Sequence, residues 1–305
     1  MKPVLKYPGS KWRIAGEIVA RIPEHHTYLE PFFGSGAVFF SKEPSKIEMI
    51  NDLDNNVPNL FHCIRDDPDR LARIVATTPY SRHEYERAFA SNGEQDDFQR
   101  AADFLTTCWQ GHGFRTNGYR VGWKNDVHGR ESMYALRNWY NLPEVILETA
   151  ERLRCVQIDN RPALEVIKRF NYPDVFMYID PPYILGTRTA KQYKHEMTDA
   201  DHEELLGVLK NSEAMVMISG YESELYDSML KGWHKEQFRS NAEYGGNRVE
   251  TVWMNYERQF TIRFSTGKII LRRFAKWQLS KEQRRAISHG KRFRKSSIPG
   301  KRLNS

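Results

Sequence analysis

The chain lacks what a membrane protein, a disulfide-stapled domain or a metalloenzyme needs. No run approaches the ~18 apolar residues of a transmembrane helix, and the opening MKPVLKYPGSKWR has no apolar stretch of a signal peptide. Cysteine is scarce. Cys63, Cys108 and Cys155 lie far apart with no C-x-x-C pair. That excludes a disulfide scaffold or a zinc ribbon and fits a reducing cytoplasm, the expected location. Ten histidines are scattered. His202-Glu203 begins a zinc-protease pattern, but Leu206 stands where its second histidine belongs, so no metal is expected. No Walker lysine-serine loop is visible, which argues against an ATP-driven helicase or restriction subunit. There is no internal repeat and no low-complexity tract.

What is present suffices for a substantial core: 305 residues, 40% hydrophobic and 12% aromatic. The net charge of +7 is unevenly placed. Residues 257–305 carry 15 Lys or Arg and two acids, a net of +13, so residues 1–256 stand at −6. A basic appendage on a mildly acidic body suggests contact with nucleic acid or another anionic surface.

Strand and helix patterns alternate over much of the chain. Helical spacing covers residues 11–22, and short strands are expected at Thr27–Leu29 and Ile47–Ile50, then a helix over Asn55–Ile64. Strands near Cys155–Ile158, Val175–Ile179 and Ala214–Ile218 are separated by helices Ala163–Phe170 and Asp199–Lys210, the latter capped by Thr198. Helix Glu222–Met229 and strands near Trp233–Phe238 and Val249–Trp253 follow. This order predicts an α/β fold with a largely parallel sheet. Residues 66–150 interrupt it with helical, Arg-, Tyr- and Trp-rich sequence, and Asn117-Gly118 within them is a hairpin signal.

Three motifs carry chemistry. Glu30-Pro31-Phe32-Phe33-Gly34-Ser35-Gly36 places glycines between a strand and a helix, where backbone can approach a ligand. Asp52 ends the next strand and can accept hydrogen bonds from ribose hydroxyls. Phe39 occupies the third glycine position of a dinucleotide fingerprint, which argues against NAD or FAD and for a ribose ligand without pyrophosphate, such as S-adenosylmethionine. Asp180-Pro181-Pro182-Tyr183 follows an apolar strand. Its prolines stiffen the turn and remove two N–H donors. A carboxylate and carbonyl oxygens remain, an acceptor-only cradle suited to an amine, beside a ring that can stack on a base. Lys6-Tyr7-Pro8-Gly9-Ser10-Lys11 offers a small-residue turn with an aromatic and a cation.

In this order the motifs resemble the Dam-type DNA adenine-N(6) methyltransferases, alpha-group enzymes of bacteria and phages, over roughly residues 4–256. The resemblance implies a Rossmann-like S-adenosylmethionine-dependent methyltransferase. Its cofactor residues would be Tyr7, Lys11, Phe32, Gly34, Gly36, Asp52 and Asp180, and its catalytic tetrad Asp180, Pro181, Pro182 and Tyr183. Ser10 stands where the family often has glycine. Asp159-Asn160-Arg161 falls near the family's adenine-edge pocket, but Pro162 stands where an acid is expected.

The resemblance also implies an organisation. Residues 1–65 and 151–256 would be the catalytic domain, 66–150 a mostly helical target-recognition insertion containing the hairpin, and 257–305 a basic extension. Arg115, Asn117, Tyr119, Arg120 and Lys124 on the hairpin, with Trp123 and Asn125, are the candidates for DNA contact. Arg188, Lys191 and Lys194 follow the tetrad and could meet phosphates. In the tail, two strands are expected around Ser265-Thr266-Gly267, then a capping box at Ser280–Gln283. The expected partner is double-stranded DNA with a flipped-out adenine, the expected state a monomer without membrane contact. The residues themselves leave open another amine (cytosine-N(4), RNA adenine or a glutamine amide) and a non-catalytic DNA-binding or cofactor-sensing module.

Overall fold

The computed structural model describes residues 1–91, 95–113, 115–125, 132–187, 191–241 and 247–257. For 132–134, 187, 239–241, 247–248, 261–264 and 267–270 it describes the backbone alone. The chain divides into two compact units, Met1–Arg258 and Gln259–Ser305.

In the first unit, β1 (Thr27–Glu30), β2 (Ile47–Asn51), β3 (Val156–Asp159), β4 (Val175–Ile179), β5 (Met215–Gly220), β6 (His234–Asn241) and β7 (Asn247–Met254) form one sheet. The order is β3-β2-β1-β4-β5-β7-β6. Neighbours are parallel from β3 through β5, and β7 runs antiparallel to both β5 and β6. The order reverses between β1 and β4. Their following loops diverge there and open a crevice at the carboxyl ends of the strands.

Period-two alternation divides the core between the sheet's faces. Tyr28, Phe176, Tyr178 and Met217 join one apolar cluster, whereas Leu29, Val175, Met177, Ile179, Val216 and Ile218 join the other. The second is covered by α9 (Ala163–Arg169), α10 (Asp199–Lys210) and α11 (Glu224–Met229), through residues such as Val166, Leu205 and Tyr226. Thr198 and Asp201 close a full capping box on α10, and Ser223 caps α11.

The first face meets α2 (Ala37–Ser41) and α3 (Asn56–Asp66). Pro58 sits in the first turn of α3, where its missing N–H has no intrahelical partner to lose. Between β2 and β3 the described elements after α3 are helices: α4 (Pro68–Thr77), α5 (Arg82–Ala90), α6 (Asp97–Gln110), α7 (Ser132–Tyr140) and α8 (Leu142–Leu153). Their apolar faces, with Leu71, Leu105, Cys108, Ile146 and Leu153, enter the same cluster as Leu60 and Ile64 of α3. Arg152 of α8 ion-pairs with Glu48 of β2, which also holds Lys42, so this segment is tied to the sheet by charge as well.

Helical spacing over 11–22 yields only a short α1 (Ala15–Val19). The residues before it turn toward the crevice, where Lys11 finds its partners. The Asn117-Gly118 signal corresponds to a turn, with Gly118 at φ +79° and Asn117 Oδ1 accepting from Tyr119 N at 3.1 Å. The surrounding loop is closed by one antiparallel bridge, Gly111–Trp123, without regular strands among the described residues. In the second unit, β8 (Thr261–Phe264) and β9 (Gly267–Ile270) pair antiparallel. Arg188 and the Ser280–Gln283 capping box lie outside the described residues. Among the described residues no helix is long and apolar enough to cross a membrane.

Candidate active site

The crevice is a cavity of about 480 Å³. The N-terminal turn (Tyr7 to Lys11), the loop after β1, the end of β2 (Asp52 to Asp54), Pro162–Leu164, the loop after β4 and residues 193–197 line it. Six of the predicted cofactor residues, Tyr7, Lys11, Phe32, Gly34, Asp52 and Asp180, share this lining. Gly36 lies behind it, as the left-handed N-cap of α2 at φ +64°, where a Cβ would strike the Phe33 ring at 2.4 Å. Gly34 (φ +49°) packs against Tyr7, whose ring a Cβ would meet at 2.9 Å.

Asp52 holds this loop. Its Oδ2 accepts from Gly34 N at 2.8 Å and its Oδ1 from Asp54 N at 2.9 Å. Burial pushes its carboxyl up to about 7, against the pull of those N–H bonds. Glu30, which accepts the Tyr28 hydroxyl at 2.6 Å, is pushed up by burial to about 8. Asn51 donates to the carbonyls of Pro31 and Arg161, joining the glycine loop to the segment after β3. Where the family pattern suggests an acid, Pro162, Ala163 and Leu164 supply an apolar wall.

Lys11 and Asp180 form a buried ion pair in the cavity wall. Lys11 Nζ lies 3.0 Å from Asp180 Oδ2 and donates to the Gly9 carbonyl at 2.8 Å, with the lysine 6% exposed. Burial disfavours the ammonium, yet Asp180 and Glu250 hold its pKa above the ordinary lysine value. Burial raises the Asp180 carboxyl above the usual aspartate range, Lys11 opposes that shift and Glu250 adds to it. The other oxygen, Asp180 Oδ1, is buried without a hydrogen-bond partner among the described residues. One oxygen is anchored by Lys11 and the other is a buried acceptor. Pro182 adjoins it in the cavity wall; neither it nor Pro181 has an N–H to compete for an acceptor.

Tyr183 sits beside this pair. Its hydroxyl donates to Glu250 Oε2 at 2.6 Å, and its ring meets Tyr221 edge-on at 4.6 Å. Sequence patterning alone does not single out Glu250, on β7. Its one signal is a carboxylate in register with apolar Val252 and Met254 on one strand face.

The recognition candidates stand apart from the cavity, but their loop docks onto its rim. Thr116 N donates to the Gln192 carbonyl at 2.8 Å, Lys194 N donates to Thr116 Oγ1 at 2.8 Å, and Asn117 Nδ2 donates to the Lys191 carbonyl at 2.9 Å. Tyr193, between Gln192 and Lys194, donates its hydroxyl to Pro8 O at 3.2 Å and faces Tyr7 across 6.2 Å. Arg115 lies over the ring of Tyr119, which is 60% exposed. Arg120 pairs with Glu86, and the backbone of Lys124 bonds Gln110 and Tyr80. Among the described residues no group of three His, Cys, Asp or Glu side chains could hold a metal ion.

This sheet order, with a glycine-edged crevice at the carboxyl ends of β1 and β4, is that of a Rossmann-like methyltransferase. Residues 7–242 match the D12 class N6 adenine-specific DNA methyltransferase family, and the chain belongs to it as an adenine-specific DNA methyltransferase. Similar proteins include the type II methyltransferase M1.LlaDCHI of Lactococcus lactis subsp. cremoris, 27% identical over 84% of this chain and 96% of its own. The type II methyltransferase M.MjaIII of Methanocaldococcus jannaschii is 25% identical over 77% of this chain and 89% of its own. The DNA adenine methylase of Escherichia coli K12 is 28% identical over 33% of this chain and 38% of its own. Methyltransferases in general draw the methyl group from S-adenosylmethionine. Of the amines that the tetrad chemistry leaves open, the family singles out adenine-N(6).

Proposed function

We propose that the chain methylates adenine-N(6) in double-stranded DNA, acting as a monomer in the bacterial cytoplasm, with S-adenosylmethionine bound in the crevice. The lining suits that molecule. Asp52 and Glu30 offer carboxyl acceptors for hydroxyl and amino groups, Tyr7 and Phe32 offer rings, and Pro162–Leu164 offer apolar surface. Gly34 keeps the wall thin. Bound there, the cofactor supplies an electrophilic methyl group on a sulfonium that departs as a neutral thioether.

The chain's own residues do the rest. The adenine amine is a weak nucleophile because its lone pair is delocalised into the ring. Asp180 Oδ1 accepts one of its N–H bonds and the Pro181 carbonyl a second, which turns the lone pair outward. Asp180 then stabilises the cationic amine as the new N–C bond forms, and the surplus proton leaves to solvent. Lys11 keeps the carboxylate ionised and oriented. Tyr183 stacks on the extruded base, standing in for the neighbouring bases of the duplex. Positioning and electrostatics account for the rate, without a covalent enzyme intermediate.

Arg115, Asn117, Tyr119, Arg120 and Lys124 meet the DNA beside the target, and the basic segment beyond Arg258 adds salt-dependent affinity for phosphates. The single observation carrying this reading is the buried, unpaired Asp180 Oδ1. The test is transfer of a labelled methyl group into unmethylated bacterial DNA, native and heat-denatured. Label in native DNA that Asp180→Asn abolishes supports the reading. Equal labelling by the variant, or labelling of denatured DNA alone, overturns it.

A further inference from the structure

Tyr183 is fixed from three sides. Its hydroxyl bonds Glu250 at 2.6 Å, the Tyr221 ring abuts it at 71°, and Lys11 Nζ lies 4.7 Å from its centroid. Glu250 is only 9% exposed and shares a strand face with Val252 and Met254, both core residues. A carboxylate there is costly unless it is hydrogen-bonded, and an apolar side chain would pack at lower cost. Its carboxylate reaches the tetrad tyrosine from a strand far away in sequence.

We propose that Glu250 is a positioning residue for methyl transfer: it locks the Tyr183 ring in the one orientation that the target base meets. This rests on the reading of Tyr183 as the stacking surface. A tyrosine ring turns about two side-chain torsions, and backbone stiffness from two prolines does not restrain them. The hydroxyl bond does. A base stacked on a tilting ring carries its amine away from Asp180 Oδ1, and small misplacements at a reacting centre are expensive in rate.

The test uses the full chain, unmethylated bacterial DNA and S-adenosylmethionine. Glu250→Met, similar in length but no acceptor, should lower the single-turnover rate by about tenfold to a hundredfold while the cofactor Kd moves less than about threefold. Glu250→Gln retains an acceptor oxygen and should recover most of that loss. Tyr183→Phe keeps the ring but not the hydroxyl and should be slow like Glu250→Met. The double variant should be no slower than either. A wild-type rate for Glu250→Met, losses that multiply in the double variant, or a glutamine no better than methionine would overturn the proposal. Tyr183→Ala separates the two readings. If it transfers at the wild-type rate, the stacking role itself fails. If it is slow while Glu250→Met is fast, only the role of Glu250 fails.

Discussion

Lys11, in the N-terminal turn, and Asp180, at the end of the central strand β4, form an ion pair at 3.0 Å in which the lysine is 6% exposed. Removing one partner of a buried pair leaves the other charge uncompensated. Lys11→Met should therefore destabilise the protein by about 3 kcal/mol. Adding Asp180→Asn should restore part of that stability while leaving the enzyme inactive. Urea denaturation of the two single variants and the double variant reads the pattern; a double variant less stable than Lys11→Met contradicts it.

Asp52 gives a pH signature. Its carboxyl titrates near 7 in the folded chain and at its ordinary, lower value when unfolded. Between those values the folded state binds the extra proton, so stability falls as pH rises through that window and levels off above about 7. Glu30, at about 8, extends the same trend upward. The cofactor-free protein should lose less Tm between pH 5 and pH 8 in Asp52→Asn than in wild type. Equal losses would show that Asp52 is not a buried, proton-holding group.

Gly34 adopts φ +49° with Tyr7 against its Cα. Gly34→Ala adds a left-handed backbone cost of about 1–2 kcal/mol and pushes the Tyr7 ring away. Cofactor affinity measured by calorimetry should drop at least about tenfold, since 1.4 kcal/mol is a factor of ten. An unchanged Kd contradicts a cofactor role for this loop.

Thr116 joins the loop around Asn117 to the crevice rim through Gln192 and Lys194. Thr116→Val keeps the shape and removes the hydroxyl. The rim carrying Tyr193 is then less restrained, and cofactor dissociation in stopped-flow should accelerate about twofold to tenfold, the cost of one ordinary hydrogen bond. An unaltered off-rate would mean that the two loops are independent.

Local signals explain what is readable in the sequence. Val175–Ile179 is an apolar run ending at an Asp-Pro-Pro break, and Asp199–Lys210 begins at a Thr cap; both match the observed elements residue for residue. The helix expected over 11–22 is reduced to Ala15–Val19 because periodicity does not register that Lys11 must reach Asp180. The motif residues Tyr7, Gly34, Asp52 and Asp180 can be named one by one, since each sits at a strand end or turn of characteristic composition. Glu250 cannot, because an acid in register with apolar Val252 and Met254 names no partner until Tyr183 is found opposite it. Asn117 is legible as a turn residue, but its bond to the Lys191 carbonyl is a tertiary contact without a local signature.

The most direct test is nucleoside mass spectrometry of unmethylated DNA after incubation with the protein and S-adenosylmethionine. The account predicts N6-methyladenine as the product with wild-type protein and at least about a hundredfold less with Asp180→Asn, the scale of losing one key electrostatic contact. N4-methylcytosine in its place, or undiminished N6-methyladenine from the variant, would contradict it.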